Sequence, residues 1–267
     1  MVKILVRGSG DIGSAVALSL FQAEYGVLIH DEPLPSATRR KMAFSDAIFD
    51  GQAFLLGVTG QLITAAAEIE DALQSHLVIP VTVVEFSKLL AAYRPSVLVD
   101  ARMRKHQQPE KQIDLAALTI GLGPNFTAGK TVHLVVETAR GKDLGRVITH
   151  GASLPLAGEP FAMDGHARER YVYSPVDGVF QTAHQIGDAV QKDEEVGRVN
   201  GVPLPAPLSG LLRGLSHDGV PVKQNTKVIE IDPRGRDAQI SGVSERSAAI
   251  AQGVLAAIKN WEISEAR

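Results

Sequence analysis

The 267-residue chain carries 27 Lys and Arg against 30 Asp and Glu, a formal charge of −3, with 45% hydrophobic and 21% charged residues. This composition suits a folded protein rather than disorder, and its acidic balance argues against a nucleic-acid partner, which needs clustered cations to replace counterions on phosphates. There is no cysteine. That excludes disulfides, thiolate metal sites, iron–sulfur ligation and any persulfide or selenide held on the chain's own sulfur.

The start, Met1-Val2-Lys3-Ile4-Leu5-Val6-Arg7-Gly8, is too short an apolar run for a signal-peptide core or a membrane span of ~20 residues. No later segment reaches that length without a charge or Gly, so the expectation is a soluble, cytoplasmic protein with no membrane partner. Ile4-Leu5-Val6 reads as a buried strand. Ile12, Val16 and Leu20 recur at helical spacing and predict a helix over 11–24. Val27-Leu28-Ile29 gives a second strand, running into His30-Asp31-Glu32. A helix over 62–73, a strand at Leu77-Val78-Ile79 and a helix over 84–93, stopped before Pro95, follow. Val97-Leu98-Val99 and the runs 118–122, 132–136 and 147–149 complete about seven strands. The alternation predicts an α/β class, with a Rossmann-like, mostly parallel sheet domain over residues 1–155.

A Gly- and Pro-containing linker is expected over 151–165. Beyond it the chain repeats itself with a period of 32. Pro175 pairs with Pro207, Gly178 with Gly210, Gly187 with Gly219, Val190 with Val222, Val196 with Val228 and Val199 with Ile231. Two such copies cannot each bury a core, so they should interlock as one all-β barrel-sandwich domain over residues 170–233. Ile186-Gly187-Asp188-Ala189-Val190 and Ala206-Pro207-Leu208-Ser209-Gly210 resemble lipoyl and biotinyl carrier domains. The resemblance implies a cofactor-bearing lysine on the hairpin between the halves. Asn200-Gly201-Val202-Pro203-Leu204-Pro205 stands there without one, which contradicts covalent carriage. A C-terminal helix within residues 241–267 is read from the stripe Ile250, Val254, Ile258 and Trp261, with Ser244 as its cap.

Gly8-Ser9-Gly10-Asp11-Ile12-Gly13 matches G-x-G-x-x-G between a predicted strand and a predicted helix. Gly8, Gly10 and Gly13 then bring backbone close to a diphosphate, and Glu32, about 20 residues on, takes the ribose. Asp11 is electrostatically poor beside two phosphates and suits a cation or a ribose. Close helix–strand packing with Asp11 as a helix cap is the other reading, and both stay open. The basic run Ser36-Ala37-Thr38-Arg39-Arg40-Lys41 offers an anion-binding Arg or a solvated face. Asp100 and Arg102 follow the Val97 strand where ligands gather in parallel sheets; Arg102 or Lys105 can pair with Asp100. Gly121-Leu122-Gly123-Pro124-Asn125-Phe126-Thr127-Ala128-Gly129-Lys130-Thr131 fails P-loop spacing, because five residues separate Gly123 from Gly129. It still reads as a ligand-approach loop, with Gly123, Asn125, Thr127 and Gly129 as contacts. His133 and Glu137 stand ~13 Å apart on a strand, too far to share a metal, and no metal site is expected.

Val6-Arg7-Gly8-Ser9-Gly10-Asp11-Ile12, Leu98-Val99-Asp100-Ala101-Arg102-Met103 and Ile120-Gly121-Leu122-Gly123-Pro124-Asn125-Phe126-Thr127-Ala128-Gly129 occur in that order. Val135-Val136-Glu137-Thr138, Leu144-Gly145-Arg146-Val147-Ile148 and the duplicated module follow. Together they resemble the YqeB family, accessory proteins of the selenium-dependent molybdenum hydroxylase system. The resemblance implies a cytoplasmic maturation factor whose partners are the molybdenum hydroxylase or its other accessory proteins. It also implies a small phosphate-bearing ligand, either a nucleotide or the molybdenum cofactor with its pterin phosphate, and leaves a homo-oligomer open. The rivals are an NAD(P)-dependent oxidoreductase using Gly8, Gly10, Gly13 and Glu32, and a non-catalytic adaptor.

Overall fold

The computed structural model of the protein describes residues 2–104, 107–156, 158, 160 and 162–266. Lys105, named above as a partner for Asp100, lies outside them. The α/β part comprises β1 (Lys3–Arg7), α1 (Asp11–Gln22), β2 (Gly26–His30), α2 (Ala47–Asp50), β3 (Gln52–Leu55), β4 (Val58–Leu62) and α3 (Ile69–Ser75). It continues with β5 (Ile79–Thr82), α4 (Phe86–Tyr93), β6 (Val97–Asp100), β7 (Leu118–Leu122), β8 (Thr127–Ala128), β9 (Leu134–Val136), β10 (Val147–Ile148) and β11 (Gly151–Ala152). One nine-stranded sheet takes the order β10-β9-β7-β6-β1-β2-β5-β4-β3. Only the outermost pairs, β9/β10 and β3/β4, are antiparallel; the others are parallel.

The strands are apolar on both faces because both faces are covered. Ile4, Val6, Val27, Val97 and Val99 pack with α1, whereas Leu5, Leu28 and Leu98 point the other way into a cluster with Ile69, Leu73, Leu89 and Tyr93. The chain departs from expectation around 50–75. The hairpin β3/β4 replaces part of the expected connection, and the helix predicted over 62–73 is a 3₁₀ turn at Ala66–Glu68 followed by α3. The strand read at 77–79 begins only at Ile79.

Eight further strands form two four-stranded sheets: β12 (Tyr171–Tyr173), β13 (Gly178–Gln181), β14 (Ala189–Val190), β15 (Glu195–Val199), β16 (Val202–Pro205), β17 (Gly210–Leu215), β18 (Pro221–Val222) and β19 (Lys227–Asp232). β13, β14 and β15 start 32 residues before β17, β18 and β19, so the sequence period is a strand period. The copies exchange strands, since the sheets run β12-β19-β17-β14 and β16-β15-β13-β18. Phe180, Val190, Val196, Val199, Leu212, Val222, Val228 and Ile231 fill the shared core. The repeated glycine has a steric cause at both sites: a Cβ on Gly178 would stand 2.5 Å from the Asn200 side chain, and one on Gly210 would stand 2.4 Å from the Asp232 carbonyl oxygen. At the β15–β16 turn Asn200 folds its Nδ2 onto the Asp177 carbonyl at 3.0 Å.

α5 (Glu245–Glu265) returns to the first sheet. Ser244 caps it, its Oγ accepting from the Ser247 amide at 3.1 Å. Ile250, Val254 and Ile258 are fully buried beside α1, with Trp261 packed against the same cluster. A Cβ on Gly253 would meet the Gly145 carbonyl oxygen at 2.1 Å, so a bare backbone face lets the helix seat. The α/β core thus draws on the end of the chain, and the double sheet lies in sequence between its parts. Among the described residues no helix is long and apolar enough to cross a membrane.

Candidate ligand-binding crevice

The sheet reverses direction of growth at β1. Strands laid down before α4 extend to one side of it, and β6 onward extend to the other. In open parallel sheets such a reversal leaves a crevice at the carboxyl ends of the flanking strands, here after Arg7 and Asp100. The turn Gly8–Gly10 occupies it and leads into α1, as the motif required.

The three glycines divide by role. Gly8 has φ +107°, and a Cβ there would stand 3.0 Å from the backbone of Ala101 and Arg102. A Cβ on Gly13 would meet the Gly8 carbonyl oxygen at 2.0 Å. Both therefore serve close packing of α1 and β6 on the turn. Gly10 differs, with no atom within 4 Å of its would-be Cβ, and it opens α1 toward the crevice.

Carboxylates already answer two of the turn's positive features. Asp31, directly after β2, accepts from the Ser9 amide at 2.6 Å and from Ser9 Oγ at 2.7 Å. Glu32, the expected ribose partner, is exposed and pairs instead with Arg104 at 3.3 Å. The strand's end at His30 was the signal that selects Asp31 over its neighbour. Asp11, in the first turn of α1, does meet a cation: Arg39 Nη1 lies 3.1 Å from its Oδ2.

Arg39 comes from the basic run and bridges to the double sheet. Its Nη2 and Nε reach Glu230 Oε1 and Oε2 at 3.1 and 3.2 Å. Glu230 is fully buried on β19 and also receives Arg213 at 2.9 Å, Lys227 at 2.8 Å and Arg170 at 3.5 Å. Burial alone would raise its pKa, but Lys227, Arg39 and Arg213 hold it well below the usual carboxylate range. Burial would lower the Arg39 pKa; Glu230 and Asp11 raise it instead.

At the end of β6 Asp100 is buried and already satisfied. Arg102 Nε donates to it at 3.0 Å, Gln112 Nε2 at 2.6 Å, and Arg7 stands 3.9 Å away. Burial pushes Asp100 up, yet the hydrogen bonds from Arg102 and Gln112 keep it below its ordinary value. Glu110 bridges Arg7 at 2.7 Å and Arg102 at 2.6 Å. Its own burial is outweighed by backbone and guanidinium hydrogen bonds, which lower it to about 2. Arg7, at the end of β1, and Glu110 and Gln112, in the connection after β6, were not singled out in the sequence, because no motif or spacing links them to Asp100.

The β7 loop delivers part of the expected set. Gly123 (φ +93°) lies against Thr138 and Met103, and Asn125 (φ +76°) donates to the Gln107 carbonyl at 3.0 Å. Asp100, Arg102, Met103, Pro124 and Phe126 help to line a cavity of about 80 Å³ between the β6 and β7 ends. That holds a few waters, far below the ~300–1,000 Å³ of typical ligand pockets. Thr127 and Gly129 are engaged elsewhere: the Thr127 amide donates to Thr131 Oγ1 at 2.9 Å, Gly129 closes the same turn on Val132, and β8 pairs with β11. Glu137 is buried and accepts from the amides of Thr138, Ala139 and Leu154, each at 2.7 Å.

These features define an α/β protein with a Gly-turn crevice at a parallel-sheet reversal and a duplicated double-sheet unit docked through buried charge. No protein-family model matches the chain. It is 38% identical over 255 residues to the uncharacterized protein YqeB of Escherichia coli strain K12, covering 96% of this chain and 47% of that protein. The chain is thus a homologue of YqeB and spans about half the length of that curated relative. Two solved structures resemble it weakly over most of its length. The apo ectoine utilization protein EutE (DoeB) of Ruegeria pomeroyi shares 11% identity over 86% of each chain at TM-score 0.25. An aspartoacylase family protein of Mesorhizobium loti shares 11% over 88% of this chain and 87% of that one, at TM-score 0.26. Scores this low establish no common fold.

Proposed function

We propose that this chain is an accessory protein holding a phosphate-bearing cofactor or nucleotide for the assembly of another protein. The target in this reading is the selenium-dependent molybdenum hydroxylase that the YqeB-like blocks imply. The observation that carries the reading is Gly10, which opens α1 at the sheet reversal with unfilled space beside it. Helix N-termini at that position attract anionic groups. In finer terms the sheet is read as Rossmann-like. The double sheet is read as a lipoyl/biotinyl-like sandwich that docks partners without a carrier lysine.

In this reading a pterin phosphate or nucleotide phosphate lies by Gly10, where the start of α1 meets open space. It does not fit against the Ser9 amide while Asp31 holds that group. A dinucleotide must lay two phosphates along this turn, and Asp31 and Asp11 put two carboxylates beside it. That repulsion supports the holding role over an NAD(P)-dependent oxidoreductase. Because the chain has no cysteine, any sulfur or selenium would travel on the ligand or the partner. The test is a thermal-shift series with phosphate-bearing pterins and nucleotides, run beside an assay of reduced nicotinamide with aldehydes and ketones. A shift without turnover is expected; turnover would favour the oxidoreductase.

A further inference from the structure

The end of β1 buries a guanidinium that the fold leaves short of partners. Arg7 lies flat on Phe86, its guanidinium carbon 3.6 Å from the ring centre, which fixes it against the start of α4. Its Nε is buried without a hydrogen-bond partner, and its Nη2 donates to no described residue. A buried charged donor left unfilled is costly, and native proteins keep such groups where water, an ion or a ligand completes them. Only Nη1 is engaged, by Glu110 Oε1 at 2.7 Å and more loosely by Gln112 Oε1 at 3.5 Å.

Arg102, just past the end of β6, sends its Nη2 to the same Glu110 oxygen at 2.6 Å. Two guanidiniums thus converge on a single carboxylate oxygen. The partners are unequal. The Arg7 and Arg102 side chains are 7% and 10% exposed, whereas that of Glu110 is 48% exposed. Glu110 belongs to the connection between β6 and β7, outside any helix or strand. Asp100 is the one buried carboxylate bonded to this pair, so the second positive charge is left to a surface side chain. Burial and repulsion from Arg102 both pull the Arg7 pKa down. Beside the pair, Asp100, Arg102, Glu110, Leu122 and Phe126 help to line the cavity of about 80 Å³. At ~30 Å³ per water that is the room of two or three waters, which a carboxylate group fills and a nucleotide exceeds.

We infer that Arg7 and Arg102 form a binding site for the carboxylate of a small-molecule ligand, and that Glu110 holds its place until the ligand displaces it. The site lies at the carboxyl ends of the two strands that flank the sheet reversal, where ligands of parallel sheets gather. With Glu110 displaced, the two guanidiniums and Asp100 leave one positive charge, which a carboxylate neutralises. A phosphate dianion would set its second charge against buried Asp100. The guanidinium fork suits the two oxygens of a carboxylate. This site goes beyond the phosphate placed at Gly10 and does not depend on it.

The experiment is amide NMR of the full chain, titrated with sodium acetate against sodium chloride at matched ionic strength, in wild type and Glu110→Ala. Saturable shifts are expected at Arg7, Arg102 and Gln112 with acetate alone. They should saturate about tenfold or more lower in acetate in Glu110→Ala, where no internal carboxylate competes. Acetamide, the neutral analogue, should give none, and inorganic phosphate should bind these residues more weakly than acetate. Glu110 is half-exposed, so its truncation leaves folding intact, which circular dichroism checks. If Glu110→Ala unfolds in chloride, acetate should restore its fold, and failure to do so overturns the inference. No shift at these residues in Glu110→Ala, equal affinity in the two proteins, or an equal response to chloride or acetamide overturns it too. Tighter phosphate than acetate at these residues overturns the carboxylate assignment. Acetate carries no phosphorus, so the reading at Gly10 is judged separately on pterins and nucleotides.

Discussion

The carboxylate of Asp31 accepts the amide of Ser9 at 2.6 Å, so the N–H that a glycine-rich turn would offer a phosphate is held by the protein's own side chain. Charge-assisted bonds of this kind contribute roughly 1.5–3 kcal/mol. Asp31→Asn keeps an acceptor and removes the charge. It should destabilise the fold by about 1–2 kcal/mol. Chemical denaturation of this variant checks the sign, and unchanged stability would contradict the role given to Asp31.

The glycines of the turn separate by substitution. Gly13→Ala drives a methyl to within 2.0 Å of the Gly8 carbonyl oxygen. It should cost about 3 kcal/mol or more, because backbone on both sides must move. Gly10→Ala meets open space at a φ of −69° and should change stability by under ~1 kcal/mol. Urea midpoints of the two variants decide this.

Glu230 is the buried anion of the interface. Glu230→Gln leaves Arg39, Arg213, Lys227 and Arg170 facing one another and should destabilise by about 3–5 kcal/mol. The acid limb follows from the same group. Its pKa in the folded state is lowered from 4.5, as are those of Glu110 and, from 3.8, Asp100. The unfolded chain binds these protons first, so the stabilisation is complete above the unfolded values and is lost as pH falls through the folded ones. Stability measured against pH should fall steeply from about pH 5 toward pH 2 as these carboxylates are protonated. Glu230→Gln should show a shallower fall, and an unchanged slope would contradict the assignment.

Much of the layering was legible because it is local. The alternation Ile4, Leu5, Val6 fixes which face meets α1, and the offset of 32 between paired residues is the offset between paired strands. The hairpin β3/β4 left little trace. Its turn uses Leu56 at φ +48° before Gly57, so the usual Asn or Asp signal is missing, and Phe54 faces outward. In the crevice, the motif gave the turn between β1 and α1 and left open whether its glycines serve a ligand or close packing; Gly8 and Gly13 are packed against backbone, and Gly10 meets open space. The Arg39–Glu230 bridge spans 191 residues. No spacing rule reaches across two folded units, so this contact emerges only when they dock.

α5 completes the α/β core from the far end of the chain. Val254→Ala, at a fully buried position against α1, should cost about 2–3 kcal/mol. Gly253→Ala, which places a methyl 2.1 Å from the Gly145 carbonyl oxygen, should cost at least as much despite the better helix propensity of alanine. Thermal unfolding followed at Trp261, the chain's one tryptophan, reports the helix directly. Unfolding of the first sheet at a different midpoint from the helix would contradict a shared core.

Native mass spectrometry of the protein purified from its own host measures what it holds. The account predicts a bound small molecule containing phosphorus, lost when Gly10, at the start of α1, is replaced by valine. A bare polypeptide mass, together with no uptake of pterin phosphates or nucleotides supplied afterwards, would contradict it.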